Sequence, residues 1–239
     1  MAPRQSQRQQ PRIPDQVLNI VQYLLTADQN KTPIKRADIV KNAIPNQAKS
    51  FSLFMEQARS CLEVAYGIKV LEVPKNNSYI LVSLHSRVTD WSRIPDLRIH
   101  YDSEPGLLIL ILAFIYMSGG NVKEDYLWKF LAKLKLERET KISRVNEKLT
   151  LKQMITTKWV RQLYLATEVI DRESKELSFN WGFRADHEIN KMDMLKWVCK
   201  ILGDDSEPST WRVQFQFARD HEKEFQRDIQ SIEVSQRIS

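Results

Sequence analysis

Hydrophobic residues recur along the first part of this chain in two rhythms. Val17, Ile20, Val21, Leu24 and Leu25 fall at i, i+3, i+4, i+7 and i+8, the spacing of a helix with one apolar stripe. Lys31 to Pro33 interrupts it. Lys35 to Ala43 predicts a short second helix, Pro45 breaks the chain, and Phe51, Phe54, Ala58, Leu62 and Ala65 outline a third helix that ends at Gly67. The period then changes. Ile68, Val70, Leu71 and Val73 precede a turn-like run from Pro74 to Ser78, and Tyr79 to Leu84 returns as a second β-rich segment. Three helices followed by a hairpin predict a winged helix.

The plan repeats downstream, in architecture rather than in wording. Leu107 to Met117 is continuously apolar but shorter than the roughly 18 residues a bilayer span needs, so it reads as a buried core helix. Ser103 is its candidate cap, Pro105 suits its first turn, and Gly119-Gly120 stops it. From about Val122, the positions Val122, Tyr126, Leu127, Phe130, Leu131 and Leu134 predict a second helix. A third is expected over Thr157 to Leu163, capped by Thr156, then a strand Tyr164 to Ile170, a turn Asp171 to Lys175 and a strand Glu176 to Trp181. One further helix, about Asp186 to Leu202, seals the second core.

At the C-terminal end, Trp211, Val213, Phe215 and Phe217 alternate as in a strand, while Trp211, Phe215 and Ala218 suit a helix. The fold class is mainly α with small β-hairpins (α+β), built from tandem winged-helix units. Residues 1–13 are expected to be a disordered Gln-rich arm and 14–100 the first unit, with a packed joint from His85 to Tyr101. The second unit then covers 101–205, and 206–239 holds a C-terminal helix and frayed tail.

The wording GLLILIL, then IYMSGGNVKEDYLWKFL, resembles the heart of the melanoma-associated antigen (MAGE) homology domain. LTLKQMITTKWVRQLYL and FNWGFRADHEINKMDMLKWV resemble that family's second half, including its Trp-Gly-x-Arg-Ala signature at Trp181, Gly182, Arg184 and Ala185. IVQYLLTADQNKTPIKRADIVKNAI and LEVAYGIKVLEV resemble its first half. Glu104 and Pro105 depart from the basic residue and Thr common before Gly-Leu-Leu, and Phe183 from the Pro usual after Trp-Gly; these read as drift at the edges.

The resemblance implies tandem winged helices and a C-terminal helix. It also implies that Leu24 and Leu25 match the adjacent leucines with which the family docks a RING-type ubiquitin ligase. Members of the non-SMC element type further imply a kleisin subunit held in an apolar cleft, SMC proteins as indirect partners, sequence-independent DNA contact, and work in the nucleus at chromatin, with the cytoplasm as a second location. The other reading the family allows is a ligase regulator that never touches DNA.

Composition sharpens part of this picture. The chain has 239 residues, 42% of them hydrophobic, which is enough for one large core or two small ones. Lys and Arg total 36 against 30 Asp and Glu, a formal +6. Nearly all of it is local: Lys141, Arg144, Lys148, Lys152, Lys158 and Arg161 against Glu147 leave +5 within residues 141–161.

Lys158 and Arg161, three apart, are expected to share the exposed side of the predicted third helix. There they would meet phosphates with little base specificity and a steep salt dependence; the plain alternative is a solvated face. A sequence-specific transcription factor would need a base-reading surface, and this side offers only Lys158, Arg161 and Gln162. On the first helix, Leu18 and Leu25 fall roughly 90° from the main arc, a shoulder one small core need not cover, unless the helix is buried all round.

No catalytic constellation emerges. His85, His100, His187 and His221 are scattered, and no metalloprotease motif, nucleophile elbow or Gly-rich phosphate loop is present. Cys61 and Cys199 lack Cys-x-x-Cys spacing and are expected to be buried thiols. The expectation is therefore a non-enzyme with no cofactor, no metal and no membrane span, acting through apolar and cationic surfaces.

Overall fold

The computed structural model describes residues 13–83, 104–141, 149–171, 173, 176–203 and 207–223. The predicted N-terminal arm (apart from Ile13) and packed joint, and most of the C-terminal tail, lie outside these residues.

The first half runs α1 (Asp15–Ala27), β1 (Ile34–Lys35), α2 (Arg36–Ala43), α3 (Phe51–Tyr66), β2 (Ile68–Val73) and β3 (Ser78–Ser83). The apolar stripe of α1 becomes core, with Val17, Ile20, Val21 and Leu24 all buried against α2 and α3. The sheet order is β1-β3-β2, antiparallel throughout, so the hairpin gains a short third strand in which Ile34 faces Tyr79. Two residues leave no periodicity for a sequence reading to detect, and the strand was not foreseen.

The second half repeats this order with α4 (Glu104–Met117), β4 (Asn121–Lys123), α5 (Glu124–Lys133), α6 (residues 151–161), β5 (Leu165–Asp171) and β6 (Glu176–Trp181). Its sheet order, β4-β6-β5, matches that of the first half. Helix, strand, two helices and a hairpin recur in both halves, a mainly α fold with two small antiparallel sheets among the described residues.

Gly119 and Gly120, both at φ near +90°, turn the chain so that Val122 pairs with Phe179. Val122 is thus a strand residue and not the start of a helix as its spacing suggested; α5 begins at Glu124. The third helix also begins earlier than expected. Thr150 Oγ1 accepts from the Gln153 amide while the Gln153 side chain accepts from the Thr150 amide, a capping box that starts α6 at Leu151. Thr156 caps nothing: its hydroxyl donates to the Lys152 carbonyl inside the helix, where Met154–Lys158 form a π turn.

The helix expected over 186–202 is two. α7 (Phe183–Glu188) and α8 (Lys191–Leu202) are separated at Asn190, whose Oδ1 accepts from the Met192 and Asp193 amides. The ambiguous C-terminal run is α9, residues 212–223. Trp211 and Phe215 pack on the second core, and the Tyr116 hydroxyl donates to the Gln214 carbonyl at 2.5 Å.

A large core joins α4, α5, α6, β6 and α8, and a smaller one fills the first half. A third cluster forms the seam between them. Val73, Ile80 and Val82 of the first hairpin meet Leu163 and Phe183 of the second half. Burial at about 25 cal/mol per Å² makes such a seam a stable contact.

Candidate functional site

Three surfaces follow from this frame. The first is the outer shoulder of α1. Leu18 is 46% exposed and Leu25 half-buried, whereas Leu24 is fully buried among the core residues of the first half. The helical period explains the split: Leu24 falls in the arc of Val17, Ile20 and Val21, and Leu25 is rotated out of it. Of the three leucines singled out in the sequence, Leu18 and Leu25 present surface and Leu24 does not. The adjacent pair is therefore split between core and surface, with Leu25 the more exposed of the two.

The second surface is the cationic side of α6. Lys141, Lys152 and Arg161 are exposed, and none has an ion-pair partner among the described residues. Arg144 and Lys148 lie outside those residues. Lys158 does not share the exposed side with Arg161 as its spacing suggested. Its ammonium pairs with Glu104 at the start of α4, and Glu104 also accepts from the Trp159 indole at 3.4 Å. The departure at Glu104 is therefore a structural contact between α4 and α6, not drift at an edge.

The third feature is buried. Arg184 has no exposed surface, yet it carries a full charge. Nη1 donates to the Leu81 carbonyl at 2.9 Å and to Glu188 Oε1 at 2.9 Å, Nη2 donates to the Lys31 carbonyl at 3.1 Å, and Nε donates to the Gln162 carbonyl at 3.0 Å. Asp28 stands 3.6 Å from Nη2, and the Tyr164 ring lies under the guanidinium. Two carboxylates and three carbonyls surround one buried cation, the arrangement that makes such a charge tolerable. Leu81, Lys31 and Asp28 belong to the first half, and Gln162 and Glu188 to the second.

Gln162 adds a second tie, its Nε2 donating to the Asn30 carbonyl at 3.0 Å. Glu188 also accepts from the Tyr164 hydroxyl at 2.7 Å, and burial together with the Glu188 charge pushes that phenol well above its ordinary range.

Comparison with known proteins agrees with this geometry. The model of the MAGE homology domain matches residues 20–192. The chain belongs to the MAGE homology domain family. It is 34% identical over 219 residues to the human Non-structural maintenance of chromosomes element 3 homolog, covering 90% of this chain and 69% of that protein. It is also 34% identical over 203 residues to human Melanoma-associated antigen D2, covering 84% of this chain and 32% of that longer protein. Among solved structures it resembles a chain of an Nse1-Nse3-Nse4 complex, with a TM-score of 0.72, 34% identity, and coverage of 85% of this chain and 96% of that one.

In this MAGE homology domain the Trp-Gly-x-Arg-Ala run is where the halves are clasped. Trp181 donates its indole N–H to the Leu112 carbonyl at 2.8 Å, anchoring the run in the second core. Gly182 approaches Leu163 so closely that a Cβ would sit 2.3 Å from its carbonyl oxygen. The run was visible as a signature, but its role was not, since no local pattern says that a lone Arg will be buried. Among the described residues no group of three or more His, Cys, Asp or Glu could hold a metal, and no helix is long and apolar enough to cross a membrane. Cys199 is buried and Cys61 only half-buried.

Proposed function

We propose that this MAGE homology domain is a non-catalytic scaffold and DNA-binding subunit of a chromosome-maintenance complex of the SMC five/six type, acting in the nucleus in DNA repair and genome stability. It would dock and stimulate a RING-type ubiquitin ligase and hold a kleisin subunit, with SMC proteins as indirect partners. The observation that carries this reading is the likeness to a chain of an Nse1-Nse3-Nse4 complex over nearly the whole of that chain.

The surfaces suit these roles. Leu18 and Leu25 on α1 offer apolar area to the ligase. A cleft of about 400 Å³ bordered by Tyr116, Trp181 and Phe217, with Asp186 and Lys191 also lining it, suits an amphipathic helix of the kleisin. Lys141, Lys152 and Arg161 are free to meet DNA phosphates, so affinity should fall steeply with salt and depend little on sequence.

The test is affinity purification of the full chain with a duplex gel shift at two salt concentrations. Recovery of a RING protein with a kleisin and SMC arms, together with salt-sensitive duplex binding, is the expected result. A RING protein without SMC partners and without duplex binding would instead establish the domain as a ligase regulator acting off DNA.

A further inference from the structure

We propose that the groove between the two halves binds a compact polyanion carrying clustered phosphate groups, at a site that shares Arg161 with the proposed duplex face but not Lys152. The groove encloses about 850 Å³, within the range of small-ligand pockets. One wall is first-half backbone and side chain, with Lys35 on β1, Asn76 in the β2–β3 turn and Ser78 at the start of β3. The other is α6, with Thr157, Lys158 and Arg161.

Its lining is one-sided in charge. Among the described residues that form it there is no Asp or Glu. Lys158 is neutralised by Glu104, which leaves Lys35 and Arg161, one on each wall, without ion-pair partners among the described residues. Arg161 offers a planar fork of donors and Lys35 a point charge, the two ways proteins grip phosphate. Uncharged groups that can donate, on Asn76, Thr157 and Ser78, line the same groove.

Ser78 points to a ligand independently of charge. It is 3% exposed, and its Oγ has no hydrogen-bond partner among the described residues. Buried hydroxyls are nearly always bonded, so an unpartnered one lining a cationic groove is a polar group that the protein's own described residues do not satisfy. A duplex carries its phosphates on the outside of a wide cylinder and meets the rims of such a groove. A compact anion can instead sit within the groove, between Lys35 and Arg161. The two ideas share Arg161 but are separable at Lys152, which is exposed on α6 and does not line the groove.

Both walls must contribute, so a bound polyanion would also hold the halves together and stabilise the fold by mass action. The test is calorimetric titration of the full chain with inositol hexakisphosphate, ATP and tripolyphosphate at one fixed, near-physiological ionic strength. Saturable one-to-one binding of at least one probe is expected. A preference for inositol hexakisphosphate or for ATP assigns the ligand as an inositol polyphosphate or a nucleotide.

Lys35→Glu and Arg161→Glu should each weaken binding about tenfold, Ser78→Ala about threefold, and Lys152→Glu less than about twofold. Lys35→Gln serves where charge reversal perturbs folding. A parallel duplex gel shift separates the two ideas, since Lys152→Glu should weaken duplex binding alone. Absence of saturable binding by all three probes, or an equal loss in Lys152→Glu, overturns the proposal.

Discussion

Arg184 in the second half donates from Nη1 to the backbone carbonyl of Leu81 in the central strand of the first, at 2.9 Å, and both residues are buried. Removing the guanidinium leaves Asp28 and Glu188 without their shared cation and strips donors from the carbonyls of Leu81, Lys31 and Gln162. Arg184→Ala is expected to cost about 3–5 kcal/mol, the usual penalty for breaking a buried charge pair from one side. Arg184→Lys keeps the charge but not the fork, and should recover only part of the loss. Five of the six tryptophans lie in the second half, so in a Trp91→Phe background fluorescence reports that half while far-UV circular dichroism reports both. In urea the two transitions should separate in Arg184→Ala. Coincident transitions at the parent midpoint would show that Arg184 does not hold the halves together.

Gly182 is required for space rather than for an unusual backbone angle. Its φ of -89° suits any residue, but a Cβ would lie 2.3 Å from the Leu163 carbonyl oxygen, which also accepts from the Arg184 amide at 2.9 Å. Gly182→Ala should therefore cost about 2–3 kcal/mol, as overpacking against unyielding backbone does. Because the same carbonyl anchors Arg184, a double-mutant cycle with Arg184→Ala should be clearly non-additive. Additive losses in chemical denaturation would place the strain elsewhere.

How far the sequence revealed this depended on the range of each interaction. The stripe of α1, the long apolar helix α4 and the two hairpins were legible because their signals lie within a few residues. The start of α6 was misplaced because Thr156 looked like a cap, although Thr150 with Gln153 carried the full two-way capping pattern. The short strands β1 and β4 become strands only by pairing with β3 and β6, which lie tens of residues away. The cationic side was found from charge density alone. That density could not show Lys158 turning inward, because Glu104 lies 54 residues earlier and reaches it only through the packing of α4 on α6.

The three leucines of α1 should separate cleanly in experiment. Leu24→Ala removes a fully buried side chain and should cost about 2–5 kcal/mol. Leu18→Ala and Leu25→Ala remove surface and half-buried area, and each should shift stability much less. If α1 is the ligase-docking face, the Leu18 and Leu25 double variant loses pulldown of the RING partner while melting near the parent temperature. Retained pulldown with an unchanged melt would move the docking face off α1.

For DNA, the free cations should behave differently from the paired one. Lys152→Glu with Arg161→Glu is expected to weaken duplex binding and reduce the slope of log affinity against log salt by about 2, at about 0.9 per lost phosphate contact. Lys158→Glu instead places two carboxylates together and should lower stability by about 1 kcal/mol or less, given the partial exposure of the pair. Exchanging the two charges, Glu104→Lys with Lys158→Glu, should restore it. Unchanged duplex binding in the first pair of substitutions would remove DNA from the functions of this face.

Alkaline pH probes the buried network from another side. Burial first, and the Glu188 charge second, raise the Tyr164 phenol above its ordinary value, and burial raises Tyr116 in the same direction. A tyrosine in the unfolded chain ionises near pH of about 10, so above that point the unfolded state loses protons that the folded state retains. The contribution of each raised phenol is complete below about pH 10 and is lost as pH rises through the folded value. Tyr164→Phe removes one such group. At about pH 8 it should be less stable than the parent by about 1 kcal/mol, for the hydrogen bond lost to Glu188. Toward about pH 11 the parent should lose stability faster, by up to about 1.4 kcal/mol per pH unit for one proton, so the gap between them closes. Urea midpoints measured across this interval decide the matter, and a constant gap would mean that Tyr164 ionises as freely in the folded domain as in the unfolded chain.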